Sequence, residues 1–412
     1  MAADGGSETL FEELRWRGFV HAVTHPELET VLAKEKITLY CGFDPTADSL
    51  HIGSLLPIMG LAHFQRAGHR PIPLVGGGTG LIGDPSFKAQ ERAMLTREQV
   101  DLNAEGIRRQ LAHFLSFEGD NAAAMMNNAD WLCALPLIDF LRDVGKHFSV
   151  NVMLNRDSVK NRLTDRDHGI SFTEFSYSLL QAYDFMHLYR TRECRLQIGG
   201  SDQWGNIVAG MDLSRRLCGA ETFGMTFPLV TKADGTKFGK SEGGNIWLDP
   251  ERTSPYAFYQ FWINQADADE GAYLRYFTFL TRGEIEDLDR LTREEPHKRA
   301  AQRRLAEEVT RLVHGEEALQ GAQRAAEAMF GGDLSGLDER TLLEIFHDVP
   351  STTLPKDLLG AGRTLLDMLA EAGVFPSKGE GRRMIRNGGL YLNSRRVDAE
   401  DAKLDADSLL TP

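Results

Sequence analysis

Residues 37–46 read ITLYCGFDPT, and residues 70–86 read RPIPLVGGGTGLIGDPS. Each stretch begins with a short apolar run and ends in glycine, aspartate and proline, which is the pattern of a buried strand that closes in a turn. Between them, residues 50–66 carry apolar side chains at helical spacing. A strand, a helix and a strand in this order predict a βαβ unit, and hence a parallel sheet whose ligands bind at the carboxyl ends of its strands.

Beyond this unit the pattern is mainly helical, and strands return only twice. From residue 250 to about residue 330 it is almost wholly helical, and glycines and prolines then interrupt it over residues 331–356, as in a linker. The segments predicted before residue 250 are helices at 96–117, 138–144 and 171–189 and strands at 194–198 and 227–231.

The 412 residues are too many for one compact core, and we predict an α/β protein with three domains in series. A Rossmann-like catalytic domain with a parallel sheet occupies residues 1–245 and contains a helical insertion around residues 120–190. An α-helical domain follows at residues 246–330. After the linker, a small basic α+β domain occupies residues 357–412.

The composition is that of an ordinary globular protein, with 42% apolar and 26% charged residues. No apolar run is long enough to cross a bilayer, and the first eight residues lack the features of a secretion signal or a mitochondrial presequence. We therefore expect a cytoplasmic protein with no membrane segment. The cysteines form no CxxC pair, which disfavours a disulfide framework and a thiolate zinc site; they are Cys41, Cys133, Cys194 and Cys218.

The net charge of −14 argues against a protein that coats nucleic acid indiscriminately. Any RNA site must then be a local basic patch. An arginine-rich segment at residues 293–311 is better explained as a solvated helix face. The other basic stretch lies in the tail and contains Arg382, Arg383, Arg386, Arg395 and Arg396.

Two short elements together indicate an ATP site. The triplet His51-Ile52-Gly53 stands where the first helix begins, and the free N–H groups of a helix start favour a phosphate. Taken alone, the histidine is better explained as a cap. Lys237-Phe238-Gly239-Lys240-Ser241 lies on a loop after the last predicted strand, where ammonium groups can stabilise a departing pyrophosphate. Taken singly, the second element is as well explained by an exposed basic loop.

A polar stripe crosses the otherwise apolar helix predicted at residues 171–189. Tyr177, Gln181 and Asp184 are spaced i, i+4 and i+7, so they share one helix face. Such a stripe suits a polar ligand, and the alternative is a solvated face.

The two ATP elements resemble the HIGH and KMSKS elements of class I aminoacyl-tRNA synthetases. Longer strings resemble the bacterial tyrosyl-tRNA synthetases in particular, and the resemblance extends from about residue 10 to residue 405. The strings are GFDPTA at 42–47, GLIGDPS at 80–86 and QIGGSDQWG at 197–205.

This resemblance implies a ligase that activates L-tyrosine with ATP to tyrosyl-adenylate and pyrophosphate, then transfers tyrosine to the 3′ end of tRNA(Tyr). Tyr40 and Asp184 would hold the phenol of the substrate, and the alternative for Tyr40 is a core aromatic. A turn residue is the alternative for Asp84. The implied tyrosine-binding residues are Tyr40, Asp84, Tyr177, Gln181, Asp184 and Gln203.

The resemblance also assigns the nucleotide site. ATP is a substrate that brings Mg²⁺ with it, and we expect no tightly bound metal or organic cofactor, since no dedicated carboxylate cage is visible. The implied catalytic residues are Thr46, His51, Lys237, Lys240 and Ser241. The implied ATP-binding residues are Gly42, Asp44, Thr46, His51, Gly53, Gly199, Asp202, Gln203 and Lys240.

Two positions depart from the family pattern. Ser54 stands where the family usually has the second histidine of its first element, which leaves one nucleotide contact open. Phe87 stands where a glycine is common before Lys88, so the sequence does not determine whether Lys88 reaches the ATP site.

On the RNA side, residues 364–397 resemble the S4 RNA-binding module. Tyr391 in this module is predicted to pack in its core rather than to stack on a base. The resemblance further implies a homodimer formed through the insertion, around residues 131–148. The implied tRNA-binding residues are Arg215, Arg216, Arg382, Arg383 and Arg386, and for the first two an exposed helix face is the alternative.

Three other functions remain open from the sequence. A synthetase-like RNA-binding protein without catalysis would be consistent with Ser54. A nucleotidyltransferase for a small metabolite would share the first ATP element but would have no use for an RNA-binding tail. Tryptophan is the nearest alternative substrate, and the pairing of Asp184 with Tyr40 speaks against it because an indole has no phenolic hydroxyl.

Overall fold

The computed structural model of the chain describes residues 8–84, 95–156, 159–160, 163, 169–236, 238–241, 244–328, 332–334, 336–347, 349–355, 358–359, 362–405 and 408–411, with Lys240 and Ser241 as backbone only. The chain divides into two compact units. The first consists of Met1–Arg252 and Gln265–Val313, and the second of Thr253–Asn264 and His314–Pro412.

The first unit contains a six-stranded sheet of β1 (Ala22–Val23), β2 (Thr38–Phe43), β3 (Arg70–Val75), β4 (Met126–Asn127), β5 (Cys194–Gly200) and β6 (Phe223–Phe227). The strand order is β1-β6-β5-β2-β3-β4. β2 lies parallel to β3 on one side and parallel to β5 on the other, whereas β1 runs antiparallel to β6. A short antiparallel ladder of β7 (Lys240–Ser241) and β8 (Gly244–Asn245) lies apart from this sheet.

Helices surround the sheet of the first unit. They are α1 (Leu10–Arg17), α2 (Glu27–Lys34), α3 (Leu55–Arg66), α4 (Arg97–Leu111), α5 (Ala129–Leu132), α6 (Leu137–Asp143), α7 (Val150–Leu154), α8 (Phe172–Arg192), α9 (Trp204–Cys218), α11 (Asp267–Phe277) and α12 (Arg282–Glu294). Helix α13 (Ala300–Ala328) begins in this unit and has a non-helical backbone at Gly315.

The βαβ unit predicted at the start of the sequence is confirmed. It consists of β2, α3 and β3, and nearly every side chain of α3 is buried. Register pairs Tyr40 with Ile72 and Gly42 with Leu74, so the two strands end at the same edge of the sheet. A parallel α/β fold follows, as the sequence predicted.

Two predicted boundaries are wrong. The late strand is Phe223–Phe227 rather than residues 227–231, because its five residues are buried beside β5, whereas Leu229 is 53% exposed. The helix predicted at residues 96–117 ends at Leu111. The Gln65 side chain accepts a hydrogen bond from the Ser116 N–H at 2.9 Å and donates one to the Ser116 carbonyl at 2.7 Å, which takes both backbone groups that a longer helix would use.

The second unit is mainly helical. Its elements are α10 (Pro255–Ile263), the last part of α13, α14 (Glu339–Ile345), α15 (Leu365–Glu371), α16 (Lys378–Arg386), β9 (Tyr391–Leu392) and β10 (Arg395–Arg396). α15, α16 and the β9–β10 pair form the small α+β module that the sequence predicted. Leu365, Leu366, Ile385 and Val397 form its apolar cluster. Tyr391 is 59% exposed, so the prediction that it packs in this core is wrong.

Within the described residues, no helix combines the length and the apolar character that a membrane crossing requires.

A buried arginine connects α1 to the end of α11. The side chain of Arg17 is 3% exposed, and its guanidinium donates to the carbonyl oxygens of Arg275 at 3.2 Å, Thr278 at 3.1 Å and Leu280 at 2.7 Å. Its Nε donates to Glu13 at 3.0 Å. These bonds satisfy carbonyls that the helix end leaves without intrahelical partners. The position of α11 therefore depends on a charge in α1.

We expect Arg17→Met to lower the free energy of unfolding by about 3–5 kcal/mol, because it leaves the carbonyl oxygens of Arg275, Thr278 and Leu280 without their buried donor. Urea denaturation followed by circular dichroism measures the change. Arg15→Met is the control, since Arg15 is 58% exposed, pairs only at the surface with Glu29, and should cost less than about 1 kcal/mol. Equal losses in the two variants would contradict the role given to Arg17.

Candidate active site

The carboxyl ends of β2 and β5 border a cleft of about 390 Å³. The chain leaves β2 toward β3 and leaves β5 toward β6, on opposite sides, and a parallel sheet opens a binding crevice where its connections diverge in this way. The predicted residues that line the cleft are Tyr40, Gly42, Asp44, Gly53, Asp84, Tyr177, Gln181, Asp184, Gly199, Asp202 and Gln203. The polar stripe of α8 thus faces a cavity rather than solvent.

The Asp184 carboxylate lies deep in the cleft and is 1% exposed. Its Oδ2 accepts from the amide of Asn128 at 2.9 Å, and its Oδ1 accepts from the indole N–H of Trp131 at 2.7 Å. Burial raises the pKa of this carboxyl to about 7, although the two donated hydrogen bonds lower the pKa in part. Each oxygen keeps one lone-pair direction for a further donor.

Two buried polar groups near Asp184 have no hydrogen-bond partner among the described residues. They are the hydroxyl of Tyr40 and the side-chain carbonyl oxygen of Gln197, which sit on paired positions of β2 and β5. Burial, and next the charge of Asp184, raise the pKa of Tyr40 well above its usual value, so its hydroxyl is a donor at neutral pH. A buried polar group left unpaired costs about 1–3 kcal/mol, which a ligand group that accepts from Tyr40 or donates to Gln197 would recover.

Gln203 holds together the polar groups at the mouth of the cleft. Its amide nitrogen donates to Asp84 at 2.8 Å and to Asp202 at 2.9 Å. Its carbonyl oxygen accepts from Gln181 at 3.2 Å and from Asn206 at 3.3 Å. Residues predicted from three separate sequence strings therefore form one hydrogen-bonded network.

Asp44, at the end of β2, has a second set of partners. It accepts from the hydroxyls of Tyr177 at 3.3 Å and Thr79 at 3.2 Å. Asn128 in turn donates to the Thr79 hydroxyl at 3.0 Å and to Asp184 at 2.9 Å. The amide of Asn128 thereby couples the two ends of the cleft.

His51 caps the short turn that precedes α3. Its Nδ1 accepts from the N–H of Gly53 at 3.0 Å, so the capping alternative is realised in this structure. A Cβ at position 53 would lie 2.7 Å from the His51 ring, which only glycine avoids. Thr46 is exposed beside the cleft, and its N–H donates to the Asp44 carbonyl at 2.8 Å.

The two predicted ATP elements are joined through the backbone of residues 246–248. The N–H of Ile52 donates to the carbonyl of Ile246 at 3.0 Å, and the N–H of Ile246 donates to the carbonyl of Gly239 at 3.3 Å. Lys237 lies outside the described residues, as do Phe87 and Lys88. The structure therefore brings the backbone of the second element to the start of α3.

The lining of the cleft is acidic. It contains the carboxylates of Asp44, Asp84, Asp184 and Asp202, and no lysine or arginine among the lining residues that the structure describes. Such a site suits a ligand with an ammonium group, whereas a triphosphate requires cations from outside the lining. Over the same part of the chain, no three His, Cys, Asp or Glu residues are grouped as metal ligands.

The basic residues predicted to bind tRNA lie on the surface. Arg215 and Arg216, in the last turn of α9, both pair with Asp212 at 2.7 Å. In α16, Arg386 pairs with Glu400 at 2.8 Å, Arg382 lies 3.6 Å from the same carboxylate, and Arg383 lies 3.4 Å from Glu380. Exposed pairs of this kind are weak, so these cations can exchange their partners for phosphate.

Sequence reasoning missed four residues of the site. Asn128 and Trp131 hold Asp184, Thr79 holds Asp44, and Gln197 presents an unpaired oxygen. Asn128 and Trp131 had been placed in the insertion, and the signal that could have located them is the short strand β4, which ends directly before Asn128. Gln197 belongs to the QIGGSDQWG string but received no role.

Residues 32–331 match the family of class I tRNA synthetases for tryptophan and tyrosine, and residues 341–411 match the C-terminal domain of SYY-like tyrosine–tRNA ligases. A tyrosine–tRNA ligase of Roseiflexus castenholzii is 58% identical over 388 residues, which cover 94% of this chain and 91% of the relative. The enzyme of the same name from Bacillus caldotenax is 56% identical over 404 residues, or 97% and 95% of the two chains. The chain belongs to the tyrosine–tRNA ligase family.

Solved structures agree with membership of this family. A C-terminally truncated mitochondrial tyrosyl-tRNA synthetase of Aspergillus nidulans has 31% sequence identity and a TM-score of 0.71, covering 79% of this chain and 96% of its own. A tryptophanyl-tRNA synthetase of Encephalitozoon cuniculi shares the fold, with 15% identity, a TM-score of 0.54, and coverage of 76% and 86%. The choice between tyrosine and tryptophan thus rests on the high-identity relatives and on the cleft.

We expect Asp184→Asn to stabilise the protein progressively, relative to wild type, as pH rises from 5 to 8. The folded carboxyl has a pKa of about 7, and an unfolded one about 3.9, so between these values the folded state binds more protons. The free energy of unfolding of the wild type must fall as pH rises through this window. The asparagine variant lacks the titrating carboxyl and therefore does not show this fall. Melting temperatures at pH 5, 6, 7 and 8 measure the difference.

The control for this comparison is Asp101→Asn, because Asp101 is an exposed carboxylate on α4. Its difference from wild type should stay constant across the same pH series. A constant difference for Asp184→Asn as well would show that burial does not disfavour the ionised form at that site.

Proposed function

We propose that the acidic cleft binds L-tyrosine and ATP and forms tyrosyl-adenylate with release of pyrophosphate, before tyrosine passes to the 3′ end of tRNA(Tyr). The observation that carries this assignment is the buried pair of Tyr40 and Asp184. A hydroxyl with no partner and a carboxylate with a free lone-pair direction together fit a group that both accepts and donates one hydrogen bond. A phenol is such a group.

In this proposal the tyrosine phenol accepts from Tyr40 and donates to Asp184. Phenylalanine would leave the buried Tyr40 hydroxyl unpaired and would give Asp184 no donor beyond Asn128 and Trp131. Loss of a hydrogen bond at a buried polar site is a strong form of substrate discrimination, and tyrosyl-tRNA synthetases are a standard example of it. The substrate ammonium lies toward Asp84, Tyr177 and Gln181, where the network of Gln203 supplies acceptors. An indole could donate its N–H to Asp184, but it has no lone pair with which to accept from Tyr40.

ATP lies along Gly42, Asp44, Gly199 and Asp202. Gly53 lets its ring or sugar approach the backbone, and Thr46 and His51 lie toward its γ-phosphate. Attack of the tyrosine carboxylate on the α-phosphorus needs no protein nucleophile, so positioning and charge supply the rate. Because the lining is acidic, the charge of the leaving pyrophosphate is balanced by Mg²⁺ carried with ATP and by Lys237 and Lys240. Ser241 completes that element, and Ser54 lines the cleft on the ribose side.

The remaining parts of the chain serve RNA and assembly. Residues 357–412 bind tRNA through Arg382, Arg383 and Arg386, residues 246–330 face the anticodon side, and Arg215 and Arg216 face the acceptor stem. A cytoplasmic homodimer forms through the insertion. Exposed apolar side chains on α6, on α7 and at the start of α8 support this interface: Leu137, Ile138, Leu141, Val150, Val152 and Phe172.

The assignment is tested by tyrosine-dependent exchange of pyrophosphate into ATP. We expect Asp184→Ala to lower kcat/KM for tyrosine by roughly 10–100-fold, through loss of a charge-assisted hydrogen bond, and to reduce the preference for tyrosine over phenylalanine. Lys240→Ala should lower the rate constant by about 100-fold or more with little change in KM for tyrosine, because it acts on the departing charge.

Lys232→Ala is the matched control for the loop variant, since Lys232 lies on the same loop but outside the second element. It should retain wild-type exchange. The assignment fails if a folded wild-type protein shows no tyrosine-dependent exchange, which is the result expected of an RNA-binding protein without catalysis. An unchanged rate in Lys240→Ala would remove the proposed role of the lysines.

We expect the triple variant Arg382→Ala, Arg383→Ala, Arg386→Ala to keep adenylate formation and to lose at least tenfold in aminoacylation at 150 mM salt. Loss of three phosphate contacts should also reduce the slope of log affinity for tRNA against log salt by about 2–3. Filter binding and aminoacylation assays measure the two effects, with Arg108→Ala, an exposed arginine of α4, as control. Retained aminoacylation in the triple variant would refute a tRNA role for α16.

A further inference from the structure

Helix α11 presents a stripe of three side chains to the loop after β6. This loop carries residues 237–241, the second predicted ATP element, which is called the lysine element below. Asp269, Tyr273 and Phe277 are spaced i, i+4 and i+8, so they lie along one face of the helix. Asp269 is 7% exposed, and Tyr273 and Phe277 are 1% exposed. All three belong to the first unit, as does the loop. Neither the ATP elements nor the tyrosine site accounts for this stripe.

The first contact of the stripe is polar. The carboxylate of Asp269 accepts a hydrogen bond from the backbone N–H of Ala233 at 2.7 Å. Ala233 belongs to a tight turn in which the N–H of Lys232 donates to the Thr236 carbonyl at 3.0 Å and Gly235 has a φ of +80°. The bond therefore attaches a compact turn, rather than a single extended residue, to the start of α11.

The second contact is aromatic. Phe238 is 9% exposed, and its ring lies nearly parallel to that of Phe277, with 5.4 Å between centroids and 9° between planes. It also packs on Tyr273, with 5.0 Å between centroids. An aromatic ring buried among two others contributes both apolar area and ring–ring attraction. In sequence, Lys237 stands between the two attached residues, Ala233 and Phe238.

The third contact joins the loop to the first ATP element. Gly239 has a φ of +91°, and a Cβ there would lie 3.2 Å from the Ile52 side chain. The Gly239 carbonyl accepts from Ile246, whose carbonyl accepts from Ile52. Only a residue without a side chain allows this approach at that backbone angle. The loop is thus held between α11 and the start of α3.

We infer that Asp269, Tyr273 and Phe277 position the lysine element, with Asp269 acting through the turn at 232–236 and the two rings acting through Phe238. The inference rests on the proposed role of Lys237 and Lys240 in pyrophosphate release. It identifies α11 as the surface that holds the loop carrying these lysines before the reaction begins. These side chains are positioning residues, because they act on the reaction through the loop.

A simpler account gives Asp269 only a favourable interaction with the dipole of α11, since it lies in the first turn of that helix. The two accounts differ for Asp269→Asn. This variant loses the charge but keeps an oxygen that can accept from Ala233, whereas Asp269→Ala loses both. Positioning predicts that asparagine is close to wild type; the dipole account predicts that it resembles alanine.

The test combines limited trypsin digestion with single-turnover adenylate formation, on the full chain. In Asp269→Ala and Phe238→Ala we expect cleavage after Lys232, Lys237 and Lys240 to accelerate by about tenfold, as the loss of one hydrogen bond or one ring contact implies. The rate constant for adenylate formation should fall by a similar factor while KM for tyrosine stays unchanged. Asp269→Asn and Tyr273→Phe, which keeps the ring, should remain within about twofold of wild type.

Cleavage sites are identified by mass spectrometry, and melting temperatures establish that each variant is folded. Unchanged cleavage in both alanine variants would overturn the inference, as would an asparagine variant that behaves like alanine. The rate of tryptic cleavage measures how firmly the loop is attached, independently of catalysis. If Lys240→Ala left adenylate formation unchanged, the proposed lysine function would fail, whereas altered digestion of Asp269→Ala would still support the attachment.

Discussion

The buried carboxyl group of Asp184 constrains how the elements of the first unit are arranged. Asp184 is placed by the apolar helix α8 against the centre of the sheet, where ionisation is disfavoured by burial. Two neutral donors, Asn128 and Trp131, come from a different part of the chain to hold its oxygens. Their positions in turn require β4 to pair with β3, so the order of the sheet determines what surrounds Asp184 in the cleft.

The same constraint explains why the cleft contains acids and few cations. A site selective for a substrate with a phenol and an ammonium group is lined with carboxylates and hydroxyls, and these repel a triphosphate. Positive charge must then come from a separate element. In the proposed function this charge comes from Lys237 and Lys240 on the loop after β6. Asp269 of α11, a helix held at its far end by Arg17, bonds the turn of that loop at Ala233. The stability of the α1–α11 contact is therefore linked to the position of the loop after β6, on which the proposed nucleotide site depends.

Much of this could be predicted from the sequence because it depends on local patterns. The βαβ unit follows from apolar runs ended by turn residues, and the face shared by Tyr177, Gln181 and Asp184 follows from helix periodicity. The errors arose where a distant side chain determines the local structure. Gln65 ends α4 by bonding to Ser116, and burial beside β5 selects residues 223–227 rather than their neighbours as a strand.

The sequence by itself determined the fold class and the face that Tyr177, Gln181 and Asp184 share, because spacing along a strand or helix fixes which side chains lie on one side. Only the tertiary structure decided what surrounds Asp184 and that α11 contacts the loop after β6. It also decided that the Tyr40 hydroxyl and the Gln197 oxygen are buried with no hydrogen-bond partner among the described residues. These features depend on strand order and helix docking. Contacts between residues more than 30 positions apart have no local periodicity from which they could be inferred.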